Sequence, residues 1–416
     1  MYYKFEFFTY SANMTTFALA GGIIPPEAWE STPAQFPTAE AYNEYLADLK
    51  TLQEKYRLRN ALCPHNFRGN QFSTELLSKI VDYSRNVTRY LNGENNERYY
   101  MFLELFHTIF AKNFTDRIQA RYEVIKSKAV GRRKEKLEEV GVKIKGVPLR
   151  SFHILDDAGY SVKAFTNVVK YIEAETGSTI SWNHLSTYSN RRSPEERIEH
   201  VKDSSYWTKG VDGDGCNISN IRAWKNKITT ILKTVDIIII NDLGTPSEES
   251  SDPLACAIAF VLMNLNADGY AAISLGDFSS AASISMVHLF SKCFERATII
   301  HTIADDNLFL CGSGFKNNII SPHYKHLFTA CITPGNSIFS TEYMNGESFT
   351  ETVESLLNVV RAASEWRLQQ YKKLFSVYEE LSQSASSKMI KGHVEKVLGD
   401  YYPDESARWR EAVQYK

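Results

Sequence analysis

The run Val235–Ile240, followed by Asn241 and Asp242, constrains the fold of this chain more than any other feature of its sequence. Four of its six residues are consecutive isoleucines, so apolar and polar side chains do not alternate. Such a run is typical of a buried strand in a parallel sheet with helices on both faces. In open α/β sheets, ligands bind beyond the carboxyl ends of the strands. Asp242 is therefore a candidate functional residue, although Asp, Gly and Pro are also common in polar turns.

The middle of the chain alternates between strand-like and helix-like segments. The pattern predicts strands near residues 152–155, 179–182, 235–240, 270–277, 297–303 and 307–315. Helices are predicted between them, including one that begins near residue 251 and stops at Asp268-Gly269. Strands separated by helical crossovers are typical of a parallel sheet. The expected fold class is α/β, with a Rossmann-like, doubly wound parallel sheet.

The length of 416 residues favours two or three structural units rather than one core. Residues 1–111 are rich in aromatic side chains, and their apolar spacing predicts a mostly helical N-terminal region. Residues 112–330 contain the alternating segments and are predicted to form one domain. Residues 331–416 are predicted to be a helical C-terminal extension, because long amphipathic stretches follow Pro334.

Composition and charge exclude several classes of protein. A hydrophobic content of 43% and a charged content of 23% are those of an ordinary globular protein. The net charge of -2 excludes a uniformly basic nucleic-acid binder but not a local basic face. No apolar run approaches the ~18 residues of a membrane span, so we expect no membrane partner. Six scattered cysteines and a poor signal sequence favour a cytoplasmic location.

Two local patterns bear on ligands. Cys63 and His65 are two potential metal ligands at close spacing, but two ligands do not make a site, so we expect no metal. Residues 112–150 contain twelve Lys or Arg against five Asp or Glu, including Arg132, Arg133 and Lys134. A charge run of this kind is either a solvated helix face or a surface that follows RNA phosphates.

The order of these segments resembles that of the FtsJ-like (RrmJ-type) ribose 2′-O-methyltransferases, particularly the virus-type enzymes that act on messenger RNA caps. The likeness covers about residues 115–320 and is one of order and spacing more than of identity. The segments that carry it are LDDAGYSVKAF, DGDGCNIS, IIIINDLG, LNADGYAAISLGDF and ATIIHTIADDNLFLCGSGFK. The resemblance implies a methyltransferase sheet, S-adenosylmethionine as cofactor and capped messenger RNA as partner. It also implies a viral source, and then the host cytoplasm or the virion as location.

The family carries a Lys-Asp-Lys-Glu group in which a lysine of depressed pKa serves as the base. By resemblance, the first position is Lys136, with Lys134 or Lys128 as alternatives, and the second is Asp242. The third position holds Ser274 where the family has its second lysine. The fourth is Asp306, with Asp305 next. Serine cannot deprotonate a ribose hydroxyl near neutral pH, so the site is expected to be degenerate; Lys163 or Lys292 are candidate substitute bases.

The cofactor loop also departs from the family's Pro-Gly-Gly turn. Only Gly159 remains of the glycines that let backbone approach the cofactor, and bulky Tyr160 follows it. By resemblance, Asp156 and Asp157 would hold the amino group of S-adenosylmethionine, and Asp214 the adenine or ribose edge. An alternative is that these are turn residues on a retained fold that has lost its cofactor.

Three functions are therefore open. The first is an active S-adenosylmethionine-dependent RNA cap ribose 2′-O-methyltransferase. The second is a catalytically dead relative that binds RNA or serves as a scaffold beside a capping enzyme. The third is a structural or virion-associated protein whose terminal regions make the important contacts. In the first two, Arg132, Arg133 and Lys134 would contact RNA, with Tyr122 and Tyr160 available for stacking.

Overall fold

The computed structural model of the chain describes a mixed α/β protein built on one large sheet. It describes residues 16–41, 43–44, 47–48, 51, 101–102, 104–106, 149–154, 165, 167–170, 182–187, 207–208, 235–241, 252–276, 278–302, 307–316, 327 and 335–382. The α/β class predicted from the sequence is confirmed.

Eight strands form the sheet in the order β1-β8-β9-β7-β6-β3-β4-β5. Their bounds are β1 Thr16–Leu19, β3 Leu149–Ile154, β4 Trp182–Thr187, β5 Trp207–Thr208, β6 Val235–Ile240, β7 Leu265–Ser274, β8 Phe294–Thr302 and β9 Asn307–Phe315. A separate two-stranded sheet pairs β2 Thr32–Pro33 with β10 Asn336–Ser337. The helical elements with defined bounds are a 3-10 turn Pro26–Ala28, α1 Pro253–Asn264, α2 Ala281–Cys293, α3 Thr341–Met344 and α4 Glu347–Ser382. Residues 37–41, 43–44, 47–48, 51, 101–102, 104–106, 165, 167–170 and 327 are also helical.

Five neighbouring strands, from β5 through β4, β3 and β6 to β7, are parallel. The predicted parallel arrangement extends only as far as β7, and the sheet as a whole is mixed. There β9 runs antiparallel to both β7 and β8, and β1 runs antiparallel to β8. The physical reason is the short connection from β8 to β9, since four residues suffice for a hairpin but not for the helical crossover that parallel strands need.

The isoleucine strand lies in the core, as its sequence predicts. All six residues of β6 are buried, and Ile237–Ile240 are at most 2% exposed. The helix α1, which follows β6 along the chain, is buried at every residue except Pro253 and Met263. A helix that is apolar on all sides lies in the interior of a protein, as α1 does. The middle of the sheet is therefore covered, as the unbroken run of isoleucines predicts.

Two local predictions from the sequence are wrong. The helix α1 ends at Asn264 rather than at Asp268-Gly269, and both of those residues lie within β7. Asp268 adopts a positive φ of 60°, and the pairing of β6 with β7 shifts register there. The Asp-Gly pair therefore makes an irregularity in a strand, which local sequence does not distinguish from a helix stop. In addition, β4 begins at Trp182, where the predicted strand ends.

The N- and C-terminal regions pack against the same core. In the N-terminal region, residues 37–41, 101–102 and 104–106 are helical, whereas β1 forms an edge strand of the large sheet. The ring of Trp29 packs against that of Phe339, with centroids 5.4 Å apart, and the ring of Phe36 packs against that of Phe349, with centroids 5.6 Å apart. The side chains at positions 29, 339 and 349 belong to the hydrophobic cluster that also contains β6, α1 and α2. None of the described helices is both long enough and apolar enough to cross a membrane.

Candidate functional site

The carboxyl ends of the parallel strands define one edge of the sheet, which we call the carboxyl edge. The strand order reverses between β3 and β6: β4 and β5 lie on one side of this pair, and β7 lies on the other. Ile154 and Ile240, the last residues of β3 and β6, are paired at this edge. Crevices at such a reversal are where open α/β sheets bind their ligands.

A chain of hydrogen bonds, which we call the edge chain, crosses from β6 to β7 through the first residue of β9. Asn307 Nδ2 donates to Asn241 Oδ1 over 2.9 Å, just beyond the end of β6. Ser274, the last residue of β7, donates from Oγ to Asn307 Oδ1 over 3.2 Å. The pairing of Ser274 with Phe309 brings the start of β9 beside the end of β7. The antiparallel insertion of β9 therefore gives the edge a side chain that bridges two parallel strands.

Asn307 is held in place from two further directions. The backbone N–H of Leu308 donates to Asn307 Oδ1 over 2.9 Å. Thr302 Oγ1 donates to the Asn307 carbonyl over 2.9 Å, and the Asn307 N–H lies 3.3 Å from the same hydroxyl. Thr302 is fully buried and Ser274 is 6% exposed, while Asn241 and Asn307 are half-buried. The edge chain thus begins in the core and ends where solvent reaches it.

Asp252 ties together the two helices that begin at this edge. Its Oδ1 accepts the backbone N–H of Ala255 over 2.9 Å and so caps the N-terminus of α1. Ser283 Oγ lies 2.7 Å from both carboxylate oxygens, and Ser280 Oγ donates to Oδ2. Ser280 in turn caps α2 by accepting the Ser283 N–H. One buried carboxylate therefore joins the N-termini of α1 and α2.

A second polar group lies along α2 and is here called the α2 cluster: His288, Lys292, Tyr343, Ser348 and Thr352. Lys292 Nζ donates to the carbonyls of Ala20 and Gly21 over 2.9 and 3.0 Å and to Ser348 Oγ over 2.6 Å. Nδ1 and Nε2 of His288 lie 2.8 Å from Thr352 Oγ1 and 2.9 Å from Tyr343 Oη, respectively.

Burial shifts the pKa values of three side chains in the α2 cluster. It lowers the pKa of His288 to about 3, with a smaller contribution from the positive charge of Lys292. Burial also lowers the pKa of Lys292, while Glu351 opposes that shift, and burial raises the pKa of Tyr343 to about 12. His288 and Tyr343 are therefore neutral at physiological pH.

Of the predicted site residues, Ser274 lies within the described part of the chain, at the carboxyl edge. Asp242 and Asp306 lie outside the described residues, but their sequence neighbours Asn241 and Asn307 are bonded to each other. The remaining predicted residues also lie outside the described part: Lys136, Asp156, Asp157, Gly159, Asp214, Arg132, Arg133 and Lys134.

Lys292 is not a substitute base for this edge. It occupies the last turn of α2, just before β8 begins at Phe294. Phe294 pairs with Phe315, the last residue of β9, whereas the edge chain involves the first residue of β9. Nine residues of β9 span about 30 Å, so the ammonium is held at the opposite end of the sheet. The other candidate, Lys163, lies outside the described residues.

The edge chain consists of uncharged groups. Two carboxamides and a hydroxyl can donate and accept hydrogen bonds, but none of them is a base that accepts a proton from another hydroxyl near neutral pH. Asn241 and Asn307 were not among the site residues predicted from the sequence. Asn241 is visible in hindsight as the first polar residue after the isoleucines, whereas Asn307 becomes significant only once β9 is seen to lie beside β7.

A search against protein-family models finds no match for this chain, and a search of curated proteins finds none.

Proposed function

We propose that this protein is an RNA cap ribose 2′-O-methyltransferase-like protein that binds S-adenosylmethionine and capped RNA at the carboxyl edge. In this proposal the group Lys136, Asp242, Ser274 and Asp306 replaces a complete catalytic tetrad, and methyl transfer is impaired. The observation that carries the proposal is the edge chain, which joins the ends of β6 and β7 through Asn307. Those are the two strands whose ends the resemblance assigns to the central Asp and to the second lysine.

The strand order supports a nucleotide-type ligand. The order β5-β4-β3-β6-β7 corresponds to the order 3-2-1-4-5 within Rossmann sheets, which bind nucleotides where the order reverses. In this proposal the methyltransferase sheet is completed by β8 and β9, the counterparts of the family's last pair of strands. The paired ends of β3 and β6 are the proposed cofactor site, since Asp156, Asp157 and Gly159 follow the end of β3 closely in the sequence. When bound, S-adenosylmethionine would supply an activated methyl group.

The environment of Ser274 supports impaired catalysis. The hydroxyl is nearly inaccessible and is already used to hold Asn307. A lysine at this position would place an amine between the strand ends, where desolvation could depress its pKa toward neutrality. The hydroxyl supplies no such base, so positioning of the ribose oxygen against the methyl group would be the main remaining source of rate enhancement.

RNA is the proposed second partner, and the basic segment at residues 112–150 is its proposed footprint. Charge reversal of Arg132, Arg133 and Lys134 would then weaken RNA binding and reduce its dependence on salt. The alternative function, a catalytically dead scaffold within a capping complex or virion, is favoured by the same serine at position 274. The two functions differ in what they predict for S-adenosylmethionine: the proposed function requires cofactor binding, and the scaffold does not.

Two measurements test the proposal: calorimetric titration with S-adenosylmethionine, and transfer of a labelled methyl group to capped RNA. We expect micromolar cofactor binding together with methyl transfer no faster than that of Asp242→Ala. We also expect Ser274→Lys to raise transfer above the wild-type level. Ser274→Met is the matched control, because it adds a side chain of similar length without an amine.

Each outcome separates the candidate functions. No cofactor binding at millimolar concentration would reject the proposal in favour of the scaffold. Transfer by the wild-type protein well above the Asp242→Ala level would show that another group replaces the lysine and that catalysis is intact. Equal gains in the lysine and methionine variants would show that the amine is not what the site lacks.

A further inference from the structure

We propose that Asn241 is a ligand-binding residue whose side-chain NH2 donates a hydrogen bond to a ribose or phosphate oxygen of the RNA. This inference rests on the proposed function, in which the adjacent Asp242 takes the place of the family's central Asp. It assigns a role to a residue that lies outside the four-residue group. The direction in which the edge chain orients its two amides supports this role.

The orientation of Asn307 is fixed by its own backbone. The Leu308 N–H lies 2.9 Å from one terminal atom of the Asn307 side chain. A backbone N–H can only donate, so that atom must be the carbonyl oxygen Oδ1. Ser274 Oγ approaches the same atom. The other terminal atom of Asn307 is therefore the nitrogen Nδ2, and no rotation of the amide by 180° satisfies both contacts.

The orientation of Asn241 follows from that of Asn307. Nδ2 of Asn307 can only donate, so the atom of Asn241 that it contacts at 2.9 Å must be Oδ1. Nδ2 of Asn241 is consequently the outer end of the edge chain. Within the described part of the chain this nitrogen has no acceptor, and the residue is half-buried. Asn241 thus offers two N–H groups in a fixed direction at the edge of the crevice.

A fixed donor of this kind favours an oxygen ligand. Ribose hydroxyls and phosphates present acceptor oxygens, and in protein–DNA complexes half to two-thirds of the hydrogen bonds go to sugar and phosphate. Because Asn241 is already oriented by Asn307, little side-chain freedom is lost when the ligand binds. The four groups that fix it are two buried hydroxyls, of Ser274 and Thr302, the amide of Asn307 and the Leu308 N–H.

The variant Asn241→Asp isolates the proposed donor. One carboxylate oxygen takes the place of Oδ1 and still accepts from Asn307, while the other replaces the outward NH2 with an acceptor of the same size. The expected result is a loss of at least about tenfold in affinity for RNA, since a donor is replaced by a charge that repels the oxygen. Asn358→Asp, at an exposed position on α4, is the control for the added negative charge.

Fluorescence anisotropy with a labelled capped oligoribonucleotide measures the effect at a fixed salt concentration. We expect Asn358→Asp to bind within twofold of wild type, and the melting temperature and the affinity for S-adenosylmethionine to be the same in Asn241→Asp and wild type. Unchanged or tighter RNA binding by Asn241→Asp would overturn the inference while leaving the proposed function intact. A loss confined to the cofactor would overturn the assignment to RNA. No RNA binding by the wild-type protein would sink the proposed function and this inference together.

Discussion

The edge chain and the α2 cluster are both polar networks in an apolar core, yet they end differently. In the α2 cluster, Lys292 Nζ reaches three acceptors and both ring nitrogens of His288 have hydroxyl partners. In the edge chain, the hydrogen bonds lead from buried Ser274 through Asn307 to Asn241, whose outer donor has no acceptor among the described residues.

This difference distinguishes polar groups that stabilise the fold from polar groups that are available to bind a ligand. A buried polar group costs free energy unless it is hydrogen-bonded, so a network that satisfies all its members within the protein stabilises one arrangement of the chain. The α2 cluster does this by holding the carbonyls of Ala20 and Gly21 and the helix α4 against α2. A network that leaves a fixed donor at a solvent-accessible edge is instead suited to a ligand.

The largest effect is expected for Lys292→Met. The variant keeps most of the apolar stem but leaves two carbonyls and the Ser348 hydroxyl without their donor. Relief from desolvating the amine offsets part of this cost, so we expect a loss of about 2 kcal/mol in the free energy of unfolding, measured by urea denaturation. Lys170→Met, at an exposed helical position, is the control and should change stability by less than about 0.5 kcal/mol. Equal values for the two variants would mean that the α2 cluster does not stabilise the fold.

An intermediate effect is expected from pH through His288. Its pKa is 6.5 in the unfolded chain and about 3 in the folded one, so below pH 6.5 the unfolded state binds a proton that the folded state does not. The stability that neutral His288 contributes to the fold is therefore fully present above pH 6.5 and is lost as pH falls toward 3. Between pH 6 and pH 5, proton binding by the unfolded state should lower the free energy of unfolding by about 1 kcal/mol.

The variant His288→Gln isolates that contribution. It lacks the titrating group, so its stability deficit relative to wild type should shrink by the same amount over this pH range. Urea denaturation of both proteins at pH 6 and pH 5 measures the difference. Parallel pH profiles would contradict a buried, neutral His288.

The smallest effect is expected for Ser274→Ala in the edge chain. The variant removes one hydrogen bond to Asn307, whose Oδ1 keeps the Leu308 N–H as donor. We therefore expect a loss of about 0.5 kcal/mol in stability and a small loss of RNA affinity through a less firmly oriented Asn241. A loss in stability as large as that of Lys292→Met would mean that the edge chain is a structural element like the α2 cluster.

Local sequence patterns predicted the elements better than their arrangement. The isoleucine run identified a strand buried on both faces, and residues 307–315 were predicted as β9 with its observed bounds. These features depend on local composition. The position of β9 between β7 and β8 depends instead on long-range pairing, which no single segment encodes.

The candidate site shows the same contrast between what local sequence predicts and what depends on long-range pairing. Ser274 was found because it aligns with a lysine of the resembled family. Asn241 and Asn307 are 66 residues apart in sequence, and only the insertion of β9 brings them into contact. The role of Asp252, which joins two helix N-termini, likewise depends on residues 28 and 31 positions away.

A crystal structure of the protein grown with saturating S-adenosylmethionine tests the central claim most directly. The account predicts electron density for the cofactor beyond Ile154 and Ile240, at the paired ends of β3 and β6, with Asn241 on the RNA side of the crevice. Density for the cofactor at any other surface, or an empty edge at saturating concentration, would contradict it.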